Sequence, residues 1–517
     1  MNRFRLDERG AGILLHPTSL PGPFESGDLG PAAHAFVDFL AASGVRWWQM
    51  LPLCPVGHGH SPYASTSVFA GSDALVSLER LRDDGLLGAD DPAFTAASPA
   101  ARCDFAASDA RRRPALRRAF DRARASAAER DKLAAFEARF AYWLDDYAAF
   151  AAIKRVLGDK PFFEWPEGLR RRDRAALDAF AEAHLDEITL EKFIQSRFWA
   201  DLTALTDYAH DKRVALMGDA PIYVARDSAE VWAHPENFQM GPGGDPAFVA
   251  GVPPDAFSDD GQLWGNPLYD WGYLEKHGFG FWIARLEHQF RAFDAVRLDH
   301  FIGFSRYWAV ARSETSAKNG AFHPAPGDRL FEAVFRALGP VQLVAEDLGI
   351  VTDEVRALRD RFRLPGMSVM QFSFTPGPAS EGSRPHRFPV RSIVYTGTHD
   401  NDTTAGWIGS APDDASEAAR ASWQADRDFA LRYLALDPSL PPRELAWGMV
   451  RAALQSHAQT TIVPIQDILG LGREARMNRP GIAGGNWSFR VLPGQLDDAL
   501  AARVADVCRL YGRAVSP

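Results

Sequence analysis

Short apolar runs recur along the chain, and most of them end at a polar or ionisable residue. Residues 12–15 lead to His16, 45–53 into a Pro/Gly/His loop, 214–217 to Asp219 and 295–298 to Asp299. Residues 341–345 lead to Glu346 and Asp347, 368–374 form a sixth run, 393–395 lead to His399 and Asp400, and 461–465 to Gln466 and Asp467. Runs without polar alternation suit strands buried on both faces. Between most of them lie patterns of helical period, at 32–42, 191–210, 281–293, 329–338, 353–362 and 443–458. Eight strands alternating with helices predict an α/β fold, a (β/α)8 barrel whose chemistry sits at the C-terminal ends of the strands. The acidic and imidazole residues fall at those ends.

Two gaps are too long for a single crossover helix. About 160 residues separate the second run from the third, and they hold the Ala- and Arg-rich stretch 78–190 with helical periodicity near 131–157. This predicts a largely helical subdomain inserted in one barrel spanning 1–517. Its arginine runs, Arg111 to Arg113 and Arg170 to Arg172, read as solvated faces rather than an anion site. The second gap, 225–280, is rich in Pro, Gly and aromatics and reads as an ordered functional loop. About 50 residues follow the eighth run, room for a loop and a closing helix but not for a C-terminal β-domain.

Composition narrows the classes. The 517 residues carry 57 Lys and Arg against 67 Asp and Glu, a net charge of −10, which argues against a nucleic-acid partner. Cys54, Cys103 and Cys508 form no disulfide or zinc pattern, and no stretch has the length of a membrane span or the shape of a signal peptide. The expectation is a cytoplasmic protein. The 34 Phe, 14 Trp and 11 Tyr exceed what needs comment only where they fall in polar loops, as flat surfaces on which a sugar can stack.

The candidate chemistry lies in three clusters. In a strand, Arg297 and Asp299 project to the same side, so the guanidinium holds the carboxylate ionised. That suits a covalent nucleophile, and equally a structural ion pair. Glu346, at the end of an apolar strand, is desolvated and so suits a general acid and base, or a helix cap. Its neighbour Asp347 points the other way, toward a structural role. The segment 396–403, with His399 and Asp400, suits a polyol, and a metal site drawing on His58 and His60 is the alternative. Two carboxylates around one barrel mouth are the machinery of glycoside cleavage. No GxSxG elbow and no phosphate-binding GxxxxGK[ST] loop is present.

Several segments resemble the motifs of the amylomaltase family, the 4-α-glucanotransferases of glycoside hydrolase family 77. They are GILLHPTSLP at 12–21, WQMLPL at 48–53 with SPY at 61–63, GDAPIYV at 218–224, PPDAFS at 253–258 and GQLWGNP at 261–267. RLDH at 297–300, AEDLG at 345–349, GTHDNDT at 397–403 and RMNRPG at 476–481 complete them. The resemblance implies a retaining enzyme acting on maltooligosaccharides and other α-1,4-glucans, with no cofactor. It implies Asp299 as nucleophile, Glu346 as general acid and base, and Asp400 as the third carboxylate, assisted by His399 and Arg297. It also implies that Tyr63, Asp219 and Asn478 line the glucan groove, with Asp255, Phe257 and Trp264 on the acceptor side. The Gly57–Ser61 stretch departs from the family pattern at His58 and His60, which bears on substrate grip near Tyr63.

Overall fold

The structure is a computed structural model that describes residues 4–95, 100–241, 243–254, 260–412, 415–482 and 484–515. Twelve strands are present among them: β1 (Gly10–Leu14), β2 (Trp47–Gln49), β3 (Ala215–Ala220), β4 (Phe248–Val252), β5 (Gln262–Pro267), β6 (Ala295–Leu298), β7 (Arg306–Ala311), β8 (Ala321–Pro324), β9 (Leu343–Ala345), β10 (Gly366–Val369), β11 (Ser392–Tyr395) and β12 (Thr460–Pro464). Eight form one parallel sheet in the order β10-β11-β12-β1-β2-β3-β6-β9. These are the eight apolar runs of the sequence. The remaining seam, between β9 and β10, is spanned by the Ala345 N–H donating to Pro365 O at 2.9 Å. Asp347 reinforces it, accepting from the Met367 N–H at 2.8 Å and from Arg359 at 2.6 Å. The barrel is therefore closed by the acid that the alternation of strand residues had set apart for a structural task.

The barrel strands are buried along nearly their whole length, as continuous apolar runs require. Close packing limits residue size inside: a Cβ on Gly12 would lie 2.8 Å from the Trp47 Cβ. Helices Pro31–Ala42, Gly280–Gln289, Gly327–Leu338, Asp353–Arg361 and Pro442–Gln455 lie between barrel strands, and Asp498–Leu510 follows β12. Glu417–Tyr433 is an additional helix between β11 and β12 that the sequence reading did not isolate. The predicted helix at 191–210 begins earlier, as Leu185–Asp211, and the periodic stretch 131–157 is two helices, Ala127–Phe140 and Leu144–Val156. The break falls at Trp143, where φ is −142° and the ring turns into the core. Among the described residues no helix is long and apolar enough to cross a membrane.

Two features differ from the sequence reading. The segment around 225–280 is not simply a loop. Its strands β4 and β5 join β7 and β8 in a second, antiparallel sheet of order β5-β4-β7-β8. Gly251, Gly265, Pro267 and Pro324 lie within these strands, which is why the composition read as loop. The run Arg111 to Arg113 is not a solvated face. Arg111 pairs with Glu25 at 2.6 Å, Arg113 with Glu191, and Arg112, only 2% exposed, with Asp28 at 2.9 Å and Val76 O at 2.7 Å. These ion pairs fasten the helix Phe105–Ala125 to the barrel, since Glu25 and Asp28 lie on the loop after β1.

Removing one partner of a buried pair leaves an uncompensated charge, so Arg112→Ala is expected to destabilise the fold by about 3–5 kcal/mol in urea unfolding, well beyond the effect of Arg174→Ala at an exposed pair.

Candidate active site

The strand ends of β3, β6, β9 and β11 converge on one mouth. Backbone bonds carry the ladder just past the strands: the Asp299 N–H donates to Ala220 O and the Glu346 N–H to Leu298 O, each at 3.1 Å. The positions of both candidate carboxylates are thus set by barrel hydrogen bonding rather than by a free loop.

Arg297 is buried and serves two carboxylates. Its Nη1 lies 2.7 Å and 2.9 Å from the two oxygens of Asp219, and its Nη2 lies 2.9 Å from Asp299 Oδ1. Burial pushes the Asp219 carboxyl up, while Arg297 and the Tyr63 hydroxyl, which donates to Asp219 at 2.8 Å, pull it back. Asp299 differs in exposure: its side chain is 27% accessible, whereas that of Asp219 is fully enclosed. Asp219 faces the floor of the site and Asp299 faces the opening.

Glu346 sits in another environment. Its Oε2 accepts from the His300 N–H at 2.7 Å and its Oε1 from the Leu348 N–H at 3.0 Å. Burial raises its pKa to about 8, with Asp299 adding to the rise and Arg297 opposing it. Two carboxyls of one mouth therefore differ in kind, one held by a guanidinium and one kept protonated near neutrality.

Asp400 projects from the turn after β11 with its side chain 46% accessible. Asn478 donates to its Oδ1 at 2.6 Å, and Arg476 donates to its backbone carbonyl at 2.6 Å. The His399 ring stacks on Tyr63 at 4.9 Å and 18°, and Trp487 leans on both rings at 5.8 Å. Trp264 of β5 is 37% exposed and meets the His300 ring edge-on at 4.8 Å. Asp255 and Phe257 lie outside the described residues. His60 stacks on Phe105 at 4.7 Å, and among the described residues no group of three or more His, Cys, Asp or Glu is arranged to hold a metal ion.

The geometry thus brings Tyr63, Asp219, Arg297, Asp299, Glu346, His399, Asp400 and Asn478 to the barrel mouth, with Trp264 at its side. Two further aromatics were not singled out by the sequence reading, Trp487 against the Tyr63 and His399 rings and Phe372 just past the C-terminal end of β10. Trp487 has φ +63°, and its signal was a tryptophan in a Gly-rich loop. Phe372 is exposed immediately beyond β10, and its signal was an aromatic past the end of a barrel strand.

A family model described as 4-alpha-glucanotransferase matches residues 15–495. A 4-alpha-glucanotransferase of Thermus thermophilus is 46% identical over 503 residues, covering 96% of this chain and 97% of its own. One of Synechocystis sp. is 42% identical over 521 residues, covering 99% of each. Among solved structures, an amylomaltase from Streptococcus agalactiae in complex with acarbose superposes with a TM-score of 0.92 at 34% identity, covering 98% of this chain and 100% of that one. With the match running through every strand end described above, the chain belongs to the 4-alpha-glucanotransferase family, glycoside hydrolase family 77.

Proposed function

We propose that Asp299 is the nucleophile, Glu346 the general acid and base, and Asp400 the carboxylate that grips sugar hydroxyls in the transition state. By family the chain is a 4-alpha-glucanotransferase, which works with retention through a covalent glucosyl-enzyme. Asp299 attacks the anomeric carbon of an α-1,4-linked glucan while Glu346 gives its proton to the departing 4-oxygen. Glu346, now ionised, takes the proton from the 4-hydroxyl of an incoming glucan or glucose, and that oxygen displaces Asp299. The observation that carries this reading is the unlike pair: Asp299 gripped by Arg297, Glu346 buried and raised.

The surrounding groups take supporting parts in this reading. Asp219 and Tyr63 orient Arg297 from below, and Asn478 and His399 hold Asp400. Trp264 forms the acceptor side, the part the family resemblance also implies for Phe257 and Asp255, and excludes water, so that a bound hydroxyl of high effective concentration wins over solvent at about 55 M. The helical segment 78–190 and the segment 225–280 would flank the groove as its walls. Maltooligosaccharides are the inferred substrates, and the S. agalactiae amylomaltase, solved in complex with acarbose, supports glucan binding as the reading for this chain. The three cysteines are free, which supports a reducing, cytoplasmic setting.

Incubation with maltotriose, followed by chromatography, is expected to give glucose and maltodextrins longer than the substrate. Only shorter sugars would indicate a hydrolase instead. Asp299→Asn is expected to lower the rate by about three orders of magnitude or more, with the unfolding midpoint little changed. Because the acid form of Glu346 is needed first and exists below its raised pKa, kcat/KM is expected to fall as pH rises through about 8. A flat profile from pH 6 to 9 would contradict the assignment. Trp264→Ala is expected to shift the products of maltotriose from transfer toward hydrolysis, and an unchanged ratio would remove that part for Trp264.

A further inference from the structure

His300 follows the nucleophile strand and adopts a left-handed backbone conformation, φ +49° and ψ +52°. This region is uncommon for residues other than glycine, although His and Asn enter it more readily than most. The conformation has a chemical outcome, because it aims the His300 N–H at Glu346 Oε2, 2.7 Å away. Packing holds the ring in place from two sides. The Trp264 ring stands edge-on to it at 4.8 Å. On another side is Gly303, where an added Cβ would come within 3.2 Å of the His300 Cδ2 and 2.6 Å of the Ile222 Cδ1. The Gly303 N–H also donates to His300 O at 2.9 Å, closing the turn.

We propose that His300 is a positioning residue: its left-handed backbone, held by Trp264 and by the space above Gly303, presents the N–H that lets Glu346 alternate between acid and base. The inference rests on the assignment of Glu346 above. A buried carboxyl with no donor would stay protonated, which serves the first step but not the second. A donor to its ionised form lowers the cost of the carboxylate and so keeps both forms in reach near neutrality. The other groups bearing on Glu346 are Leu348, whose N–H donates to Oε1, Arg297 on β6, Asp299 just beyond it, and Tyr395 on β11. The imidazole is itself held neutral by burial, which takes its pKa to about 4. It thus adds no cation beside Glu346, and the influence passes through the backbone. The acceptor-side strand β5 and the acid/base are in this way mechanically joined.

The test compares residues that enter the left-handed region with residues that resist it. His300→Asn and His300→Gly keep the conformation accessible, whereas His300→Ala resists it and His300→Val resists it strongly. With the full chain and maltotriose, His300→Val is expected to move the alkaline limb of kcat/KM upward by about one pH unit and to lower kcat at pH 7 by about tenfold or more. The loss falls on kcat because the second step needs the ionised form. His300→Ala should move the limb the same way by less, Trp264→Ala likewise, and His300→Asn and His300→Gly should leave it near that of the unmodified protein. If His300→Val fails to fold, the contrast of His300→Ala with His300→Asn decides. A limb unmoved in the Val and Ala variants overturns the proposal, as does a limb moved equally in all four. Glu346→Gln separates the two levels: if it keeps transferase activity, the assignment of Glu346 falls. If it is inactive while the His300 series leaves the limb in place, only the role of His300 falls.

Discussion

The site depends on a charge that has been taken out of water. Arg297 is enclosed in the barrel mouth, and a lone guanidinium there would be prohibitively costly. Its two partners divide the compensation. Asp219, deeper and fully enclosed, takes one nitrogen through both its oxygens; Asp299, nearer the opening, takes the other. One cation between two carboxylates leaves a net negative charge at the mouth if both are ionised. That is the right sign for a sugar ring that gains positive character as its bond breaks. It also explains why a third acid beside them stays protonated: Glu346 is buried within reach of the Asp299 charge, and a further anion there is disfavoured.

The rigidity of the site follows from the barrel. Asp299 and Glu346 stand one residue beyond their strands, yet their N–H groups still belong to the inter-strand ladder. Their carboxyls are carried by the stiffest part of the fold. Asp400 is different, because it stands on a turn, and its place is set by Asn478 and Arg476 from the segment after β12. Asp299 and Glu346 are thus preset by the barrel, while Asp400 belongs to two packed segments that meet over the mouth. The stacked rings of Tyr63 and His399, with Trp487 against both, brace that junction.

Much of this was legible in the sequence, for definite reasons. Parallel barrel strands are buried on both faces, so all eight stood out as apolar runs, and four of them lead to acids that share one mouth, Asp219, Asp299, Glu346 and Asp400. The same-side projection of Arg297 and Asp299 followed from the two-residue period of a strand. What stayed illegible is what depends on partners far away in the chain. Arg112 looked like one of a surface run because nothing in its neighbourhood names Asp28, 84 residues earlier, as its buried partner. The second sheet was hidden because short strands containing Gly and Pro carry a weak pattern, and its pairing of β4 with β7 spans the barrel strand β6. The resemblance placed Asp219 in the groove, and its bonds to Arg297 and to the Tyr63 hydroxyl, 78 and 156 residues away in the chain, were not legible from its own segment.

The second sheet changes how the setting of Trp264 should be understood. A loop of Pro, Gly and aromatics would let Trp264 move independently of the chemistry. A strand does not: β5 is paired to β4, β4 to β7, and β7 follows the turn His300–Ser305 directly after Asp299. Motion of the Trp264 wall is therefore constrained at both ends, through the sheet and through the ring contact with His300. An enzyme that must choose a sugar hydroxyl over abundant water gains from this construction. Trp264 and Glu346 are parts of one hydrogen-bonded unit, joined by the β5–β4–β7 pairing and the His300 N–H, so a displaced Trp264 wall also means a displaced Glu346 carboxyl.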